Sequence, residues 1–181
     1  MTASPDLPGA GRVSPPNAVL LDDHPVVRAG VRMLLERDGL HIVAEASSLA
    51  GALSLDLPAG AVDVVVADLM LKDARGAKVV AALRRSLAPA AVLVLTMIDD
   101  PDEVADVLRA GASGYLLKEA APADLVDAVR RVAAGETYVQ PSLGAALLSR
   151  TTVSGPAPGT SYPRATPANQ RSYCSRWPRV G

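Results

Sequence analysis

The 181-residue chain has no phenylalanine, one tryptophan and four tyrosines, so aromatic residues make up only 3% of it. Its core must therefore be aliphatic, and a hydrophobic content of 49% is ample for one. A single cysteine, Cys174, excludes an intramolecular disulfide and any cysteine-rich metal centre. The N-terminal stretch MTASPDLPGAGRVSPPN lacks the apolar segment of a secretory signal. No apolar run approaches the roughly 20 residues of a membrane span. A soluble, cytoplasmic protein without membrane contact is the expectation. Acidic residues are missing after Glu136, whereas Arg150, Arg164, Arg171, Arg176 and Arg179 all follow it. Taking those five charges from the net −1 leaves about −6 for the rest, so an acidic body carries a basic tail.

Residues 1–16 are rich in proline, glycine and serine without periodicity and read as a disordered leader. From Asn17 onward, strand-like and helix-like segments alternate. Strands are expected at 18–21, 41–46, 62–68, 91–97 and 113–118. Between them lie helical patterns at 25–39, 49–57, 76–87 and 100–111, and a last one follows at 122–135. Pro25 suits a first helical turn, with Val27, Val31, Leu34 and Leu35 on one face and Gly39 at the end. Asp100 reads as a cap, Pro101 as a first turn and Gly111 as an end. Leu125, Val129 and Val132 align on the last helix. The strands are continuous apolar runs, as sheets covered on both faces require. Five such strands alternating with five helices imply an α/β fold, a doubly wound, flavodoxin-like parallel sheet of order 2-1-3-4-5.

In VVVADLML, a charge ends the most apolar strand. The fold explains it, because ligands in such sheets bind at the carboxyl ends of strands, near the switch point between strands 1 and 3. Strand 1 ends in Asp22 and Asp23, strand 3 in Asp68, strand 4 in Thr96 and strand 5 in Lys118. One aspartate at a strand end is an ordinary turn former or helix cap; the set together is a site. Three neighbouring carboxylates repel unless a cation joins them, and hard oxygen ligands suit Mg²⁺. A hydroxyl and an ammonium nearby suit phosphoryl oxygens. The chemistry implied is phosphoryl transfer to a carboxylate. No glycine-rich phosphate loop follows strand 1, which argues against a dinucleotide site. His24 reads as a helix-start residue with no second histidine to make a metal pair, and His41 is isolated.

The segments LLDDHPVVRAGVRMLLE, VVVADLML, LVLTMIDD and GASGYLLKEA resemble the receiver domain of two-component response regulators, of the NarL/FixJ (LuxR-type) family. The resemblance covers about residues 17–150. It implies that Asp68 is the phosphoacceptor and that Asp22, Asp23 and Asp68 hold Mg²⁺ together with the backbone carbonyl of Met70. It further implies that Thr96 and Lys118 bind the phosphoryl group, and that Tyr115 is a switch aromatic that turns inward as Thr96 moves. The surface of helix 4, strand 5 and helix 5 would then change. A sensor histidine kinase is the implied phosphodonor, and a homodimer or a heterodimer with related regulators the implied assembly. No enzymatic activity is expected beyond self-catalysed phosphoryl acceptance and autodephosphorylation. Lys72 departs from the pattern, standing where many receivers carry a proline.

The expected organisation is a leader (1–16), a receiver domain (17–138), a linker helix (139–150) and a disordered or aberrant basic tail (151–181). Family members of this type continue into a helix-turn-helix domain, but the tail is proline-rich and aperiodic, so specific DNA binding is not expected. Codon arithmetic suggests that the tail comes from a shifted frame. With each codon taking the last base of one old codon and two of the next, Tyr173-Cys174 becomes Leu and Trp177-Pro178 becomes Ala. Thr166 to Asn169 then permits Pro-Arg-Glu. The alternative is a natural proline-rich disordered tail. Two rival functions are a phosphorylation-independent interaction module and an Asp-nucleophile phosphatase-like enzyme. The latter needs a second aspartate where Met70 stands.

Overall fold

The computed structural model describes residues 14–153, with side chains to 149. The readings of the leader up to residue 13 and of the tail from 154, including the shifted frame, lie outside the described residues. In chain order the elements are β1 (Asn17–Leu21), α1 (Pro25–Arg37), β2 (His41–Ala46), α2 (Leu49–Leu53), β3 (Val64–Ala67) and α3 (Ala77–Ser86). They continue with β4 (Ala91–Thr96), α4 (Pro101–Arg109), β5 (Gly114–Leu117), α5 (Pro122–Ala133), β6 (Tyr138–Val139) and α6 (Pro141–Val153). The chain divides into one unit ending at Leu148 and another beginning at Ser149. What is described of the second is the end of α6.

Every strand pair is parallel, and the sheet order is β2-β1-β3-β4-β5-β6. The expected order 2-1-3-4-5 is present but extended; among the described residues the expectation of five strands and five helices is corrected to six of each, the sixth helix lying where the linker helix (139–150) was expected. The sixth strand forms because the chain after Gly135 returns beside β5. Tyr138 and Val139 pair with Gly114 and Tyr115. The Tyr138 N–H donates to the Ser113 carbonyl, and the Gln140 N–H to that of Tyr115, both at 3.0 Å. Two residues are too few to display a period-2 pattern.

Strand alternation sorts the core into two layers. Ala18, Leu20, Val64, Val66, Leu93, Leu95 and Leu116 face α1 and α5. Val19, Leu21, Val65, Ala67, Val92, Val94 and Tyr115 face α2, α3 and α4. Because β1, β3 and β4 are central and buried on both faces, their sequences read as unbroken apolar runs. Helix α5 buries Leu125, Val126, Val129 and Val132, each contributing about 1.5–3 kcal/mol. On α1 only Leu35 is fully buried, while Val31 and Leu34 pack partly.

Helix ends follow local chemistry. Pro25, Pro101, Pro122 and Pro141 each open a helix. The Asp100 carboxylate caps α4 by accepting the Asp102 N–H at 2.9 Å. Gly39 and Gly111 adopt φ of 83° and 102° where α1 and α4 finish, a backbone that side chains disfavour. Helix α2 stops at Leu53, short of the expected 57. Ser54 follows as its C-cap, with its hydroxyl within hydrogen-bond distance of the carbonyls of Ala50 and Gly51 at 2.9 and 3.0 Å, and the Leu55 N–H turns to the Ala52 carbonyl instead of continuing the helix.

Candidate functional site

Five side chains singled out in the sequence meet at the carboxyl edge of the sheet because the strand ladders run one residue past the strands. The Asp22 N–H donates to the Ala46 carbonyl at 3.2 Å, the Asp68 N–H to Leu21 at 2.8 Å and the Lys118 N–H to Thr96 at 2.9 Å. Asp22, Asp68 and Lys118 are thereby each the first residue beyond a strand and still fixed by the neighbouring one, while Thr96 closes β4 and Asp23 follows Asp22. Asp22, Asp68 and Thr96 are the buried polar residues of the described chain.

Lys118 reaches between two carboxylates. Its Nζ lies 2.7 Å from Asp22 Oδ2 and 2.6 Å from Asp68 Oδ2. Burial works against the charged ammonium, but hydrogen bonds to Asp22 and Asp68, and their charges, outweigh it and raise the Lys118 pKa above its ordinary value. The other oxygens are oriented locally. Asp68 Oδ1 accepts the Met70 N–H at 3.1 Å, and Asp22 Oδ1 accepts the His24 N–H at 2.8 Å. Met70 thus touches the phosphoacceptor candidate through its amide.

Two oxygens remain without a hydrogen bond although buried: Asp23 Oδ1 and Thr96 Oγ1. Carboxylate or imidazole atoms of Asp22, Asp23, His24 and Asp68 all lie within 4.8 Å of one another. Three carboxylates against one ammonium leave a local excess of two negative charges. An oxygen-rich donor set with that excess and an unbonded buried carboxylate oxygen fits a divalent cation. Thr96 Oγ1 needs a partner of its own, and a buried hydroxyl without one costs about 1–3 kcal/mol.

Tyr115 is fully buried, and its hydroxyl donates to the Ile98 carbonyl at 2.8 Å. Burial, and then the charges of Glu103, Asp99, Asp100 and Asp68, push its phenol far above the ordinary tyrosine range. The ring therefore stands inward and neutral, tied to the loop that follows Thr96.

Sequence reasoning missed four supporting residues: Arg28, Glu45, Gln140 and Asp73. Arg28 donates from Nη1 to the Asp22 carbonyl at 2.6 Å and from Nε to Glu45 at 3.0 Å, bracing the end of β1 against β2. Gln140 accepts the Leu117 N–H at 2.9 Å through its side chain, holding the end of β5 beside Lys118. Asp73, in the loop after Asp68, accepts the N–H groups of Leu49 and Ala50 at 3.0 and 2.9 Å. Those two backbone hydrogen bonds hold its carboxyl below the ordinary range. The loop is thus anchored through Asp73, next to Lys72. None of the four has a local signature, since each acts across 6 to 24 residues of sequence.

A doubly wound parallel sheet with carboxylates and a lysine converging at its switch point defines an α/β domain with an acidic pocket. A response regulator receiver domain model matches residues 18–130, and the chain belongs to that family. It is 41% identical over 124 residues to the nitrate/nitrite response regulator protein NarP of Escherichia coli K12, covering 67% of this chain and 57% of that protein. It is 36% identical over 134 residues to a nitrate/nitrite response regulator homologue of Haemophilus influenzae, covering 74% and 64%. The chain thus spans roughly three fifths of these relatives. Among solved structures, a LuxR-family two-component response regulator from Aurantimonas sp. SI85-9A1 superposes with a TM-score of 0.71 and 34% identity, over 77% of this chain and 99% of that one. The isolated receiver domain of RcsB from Salmonella enterica, with the phosphomimetic BeF3-, gives 0.65 and 29% over 74% and 99%. Among the described residues no helix is long and apolar enough to cross a membrane.

Proposed function

We propose that the protein accepts a phosphoryl group on Asp68 from the phosphohistidine of a sensor histidine kinase in the cytoplasm, and signals by the resulting change in its surface. What carries this reading is the pair of buried, unbonded oxygens, Asp23 Oδ1 and Thr96 Oγ1, at the strand edge that also holds Asp68 and Lys118. The first is suited to a cation and the second to a phosphoryl oxygen.

In this reading an Asp68 carboxylate oxygen attacks the phosphorus. The O–P bond forms as the donor's N–P bond breaks, and the imidazole leaves. Lys118, already held 2.6 Å from Asp68, follows the negative charge onto the phosphoryl oxygens. The Thr96 hydroxyl donates a hydrogen bond to one of them. The Met70 amide orients Asp68 from the other side at 3.1 Å. Asp22, Asp23 and Asp68, with the Met70 carbonyl, would hold Mg²⁺, which when bound spreads the charge of the transferring group.

Tyr115 and the loop after Thr96 are the natural readout. When Thr96 turns toward a phosphoryl oxygen, the Ile98 carbonyl moves with its loop and so does the phenol bonded to it. The face of α4, β5 and α5 changes with them. We take residues 17–138 as the receiver domain and α6 as the start of the connection onward. Dimerisation with itself or with related regulators is a consistent output; RcsB dimers are known on DNA. The test is intact-mass measurement after incubation with a small phosphodonor and Mg²⁺. One added phosphoryl group is expected on the wild type and none on Asp68→Asn. Equal uptake by both proteins would overturn the assignment.

A further inference from the structure

We propose that His24 is a nitrogen ligand in the acidic pocket, so that the site takes a borderline transition-metal ion of the Co²⁺ or Zn²⁺ class as well as a hard cation. The proposal rests on the reading of Asp22, Asp23 and Asp68 as a cation site.

His24 occupies the N-cap position of α1, yet its ring makes no capping hydrogen bond. The main-chain N–H holds the residue in place by donating to Asp22 Oδ1 at 2.8 Å. Its backbone is extended, at φ −92° and ψ 106°, and the ring lies beside the carboxylates of Asp22 and Asp23. Its Nδ1 lies 2.9 Å from Asp23 Oδ1 and 3.3 Å from Asp22 Oδ1.

The approach to Asp23 is within ion-pair distance, yet Asp23 Oδ1 is buried and has no hydrogen-bond partner. Two donor atoms at that distance have the spacing of adjacent ligands around one ion. For metal–ligand bonds of about 2.1 Å, ligands at right angles sit about 3.0 Å apart and opposed ligands about 4.2 Å apart. All four residues offer atoms within 4.8 Å of one another, which spans both arrangements.

The Asp23 side chain is 7% exposed and that of His24 is 63% exposed. The oxygen is therefore fixed in the wall, while the nitrogen stands at the mouth, where an ion enters from solvent. Imidazole adds little for Mg²⁺, which favours oxygen and water, and much for Co²⁺, Ni²⁺ or Zn²⁺. A transition ion held this way competes with Mg²⁺ beside the phosphoacceptor, so its availability would govern how readily Asp68 is phosphorylated.

Co²⁺ is the probe, because its visible absorption and paramagnetism report its ligands. Titrations of the full chain with Co²⁺ and with Mg²⁺, at one fixed pH, are compared for wild type, His24→Gln and His24→Ser. The ratio of Co²⁺ to Mg²⁺ affinity is expected to fall at least about tenfold in both variants, with a change in the visible spectrum. In the wild type, Co²⁺ should shift the imidazole proton resonances of His24 paramagnetically, leave His41 near its metal-free position, and be displaced by excess Mg²⁺. An unchanged ratio, or an unshifted His24 resonance alongside normal Mg²⁺ binding, overturns the role of His24 and leaves the cation site standing. Failure of the wild type to bind either ion overturns the site reading itself.

Discussion

Replacing Lys118 with methionine removes the single ammonium that joins Asp22 and Asp68, at 2.7 and 2.6 Å, while keeping the aliphatic stem. At an effective dielectric of about 20, each pair at that range represents roughly 6 kcal/mol of gross attraction, much of it cancelled by desolvation. Removing one partner of a buried pair generally costs about 3–5 kcal/mol. Metal-free Lys118→Met should therefore unfold in urea with a deficit of about 3–5 kcal/mol at pH 7. Mg²⁺ should narrow it by supplying the missing positive charge. A deficit under about 1 kcal/mol, or one indifferent to Mg²⁺, would refute the bridging role. In the wild type the raised Lys118 pKa has a consequence at high pH. Its stabilisation is complete below about 10.4 and is lost as pH rises through the folded-state value.

Three further outcomes follow from neighbouring contacts. A Cβ at Gly114 would sit 2.6 Å from Leu93 Cδ1, 2.9 Å from Val132 Cγ2 and 3.0 Å from the Tyr138 carbonyl, so Gly114→Ala should cost about 1–3 kcal/mol in chemical denaturation; a neutral result would contradict the tight β5–α5 packing. Tyr115→Phe leaves the Ile98 carbonyl without its donor and should cost about 1–3 kcal/mol while Asp68 still takes up a phosphoryl group, which mass measurement would show. Asp73→Asn should lower the melting temperature at pH 7, because the depressed carboxyl stabilises the fold above its unfolded value of about 3.9 and ceases to as pH falls through the folded one. The gap to wild type should close in acid, and a gap constant from pH 7 to pH 3 would exclude the anchoring role.

The sheet and the site's position were legible because burial on both faces forces unbroken apolar strands. A charge closing such a strand has few places to go except the carboxyl edge. Asp22, Asp23, Asp68, Thr96 and Lys118 could be assigned to that edge from strand ends alone. Long-range contacts were not legible. The two-residue β6 carries no periodic signal. Arg28, Glu45 and Gln140 look like ordinary polar residues until the fold brings them to Asp22 and Leu117. The shortened α2 was hidden for a different reason: apolar periodicity continues through 49–57, but the backbone turns at Ser54, where the Leu55 N–H goes to the Ala52 carbonyl. His24 was read as a helix start, which its backbone is, while the approach of its ring to Asp23 depends on a side-chain orientation that spacing does not encode.

The most direct measurement is chemical trapping of the phosphorylated residue. After incubation with Mg²⁺ and a small phosphodonor, borohydride reduction converts an aspartyl phosphate to homoserine, which peptide mass spectrometry locates. The account predicts homoserine at position 68 alone, and none when Mg²⁺ is chelated. Homoserine at Asp22 or Asp23 instead, or unmodified Asp68 in protein that binds Mg²⁺ normally, would contradict it.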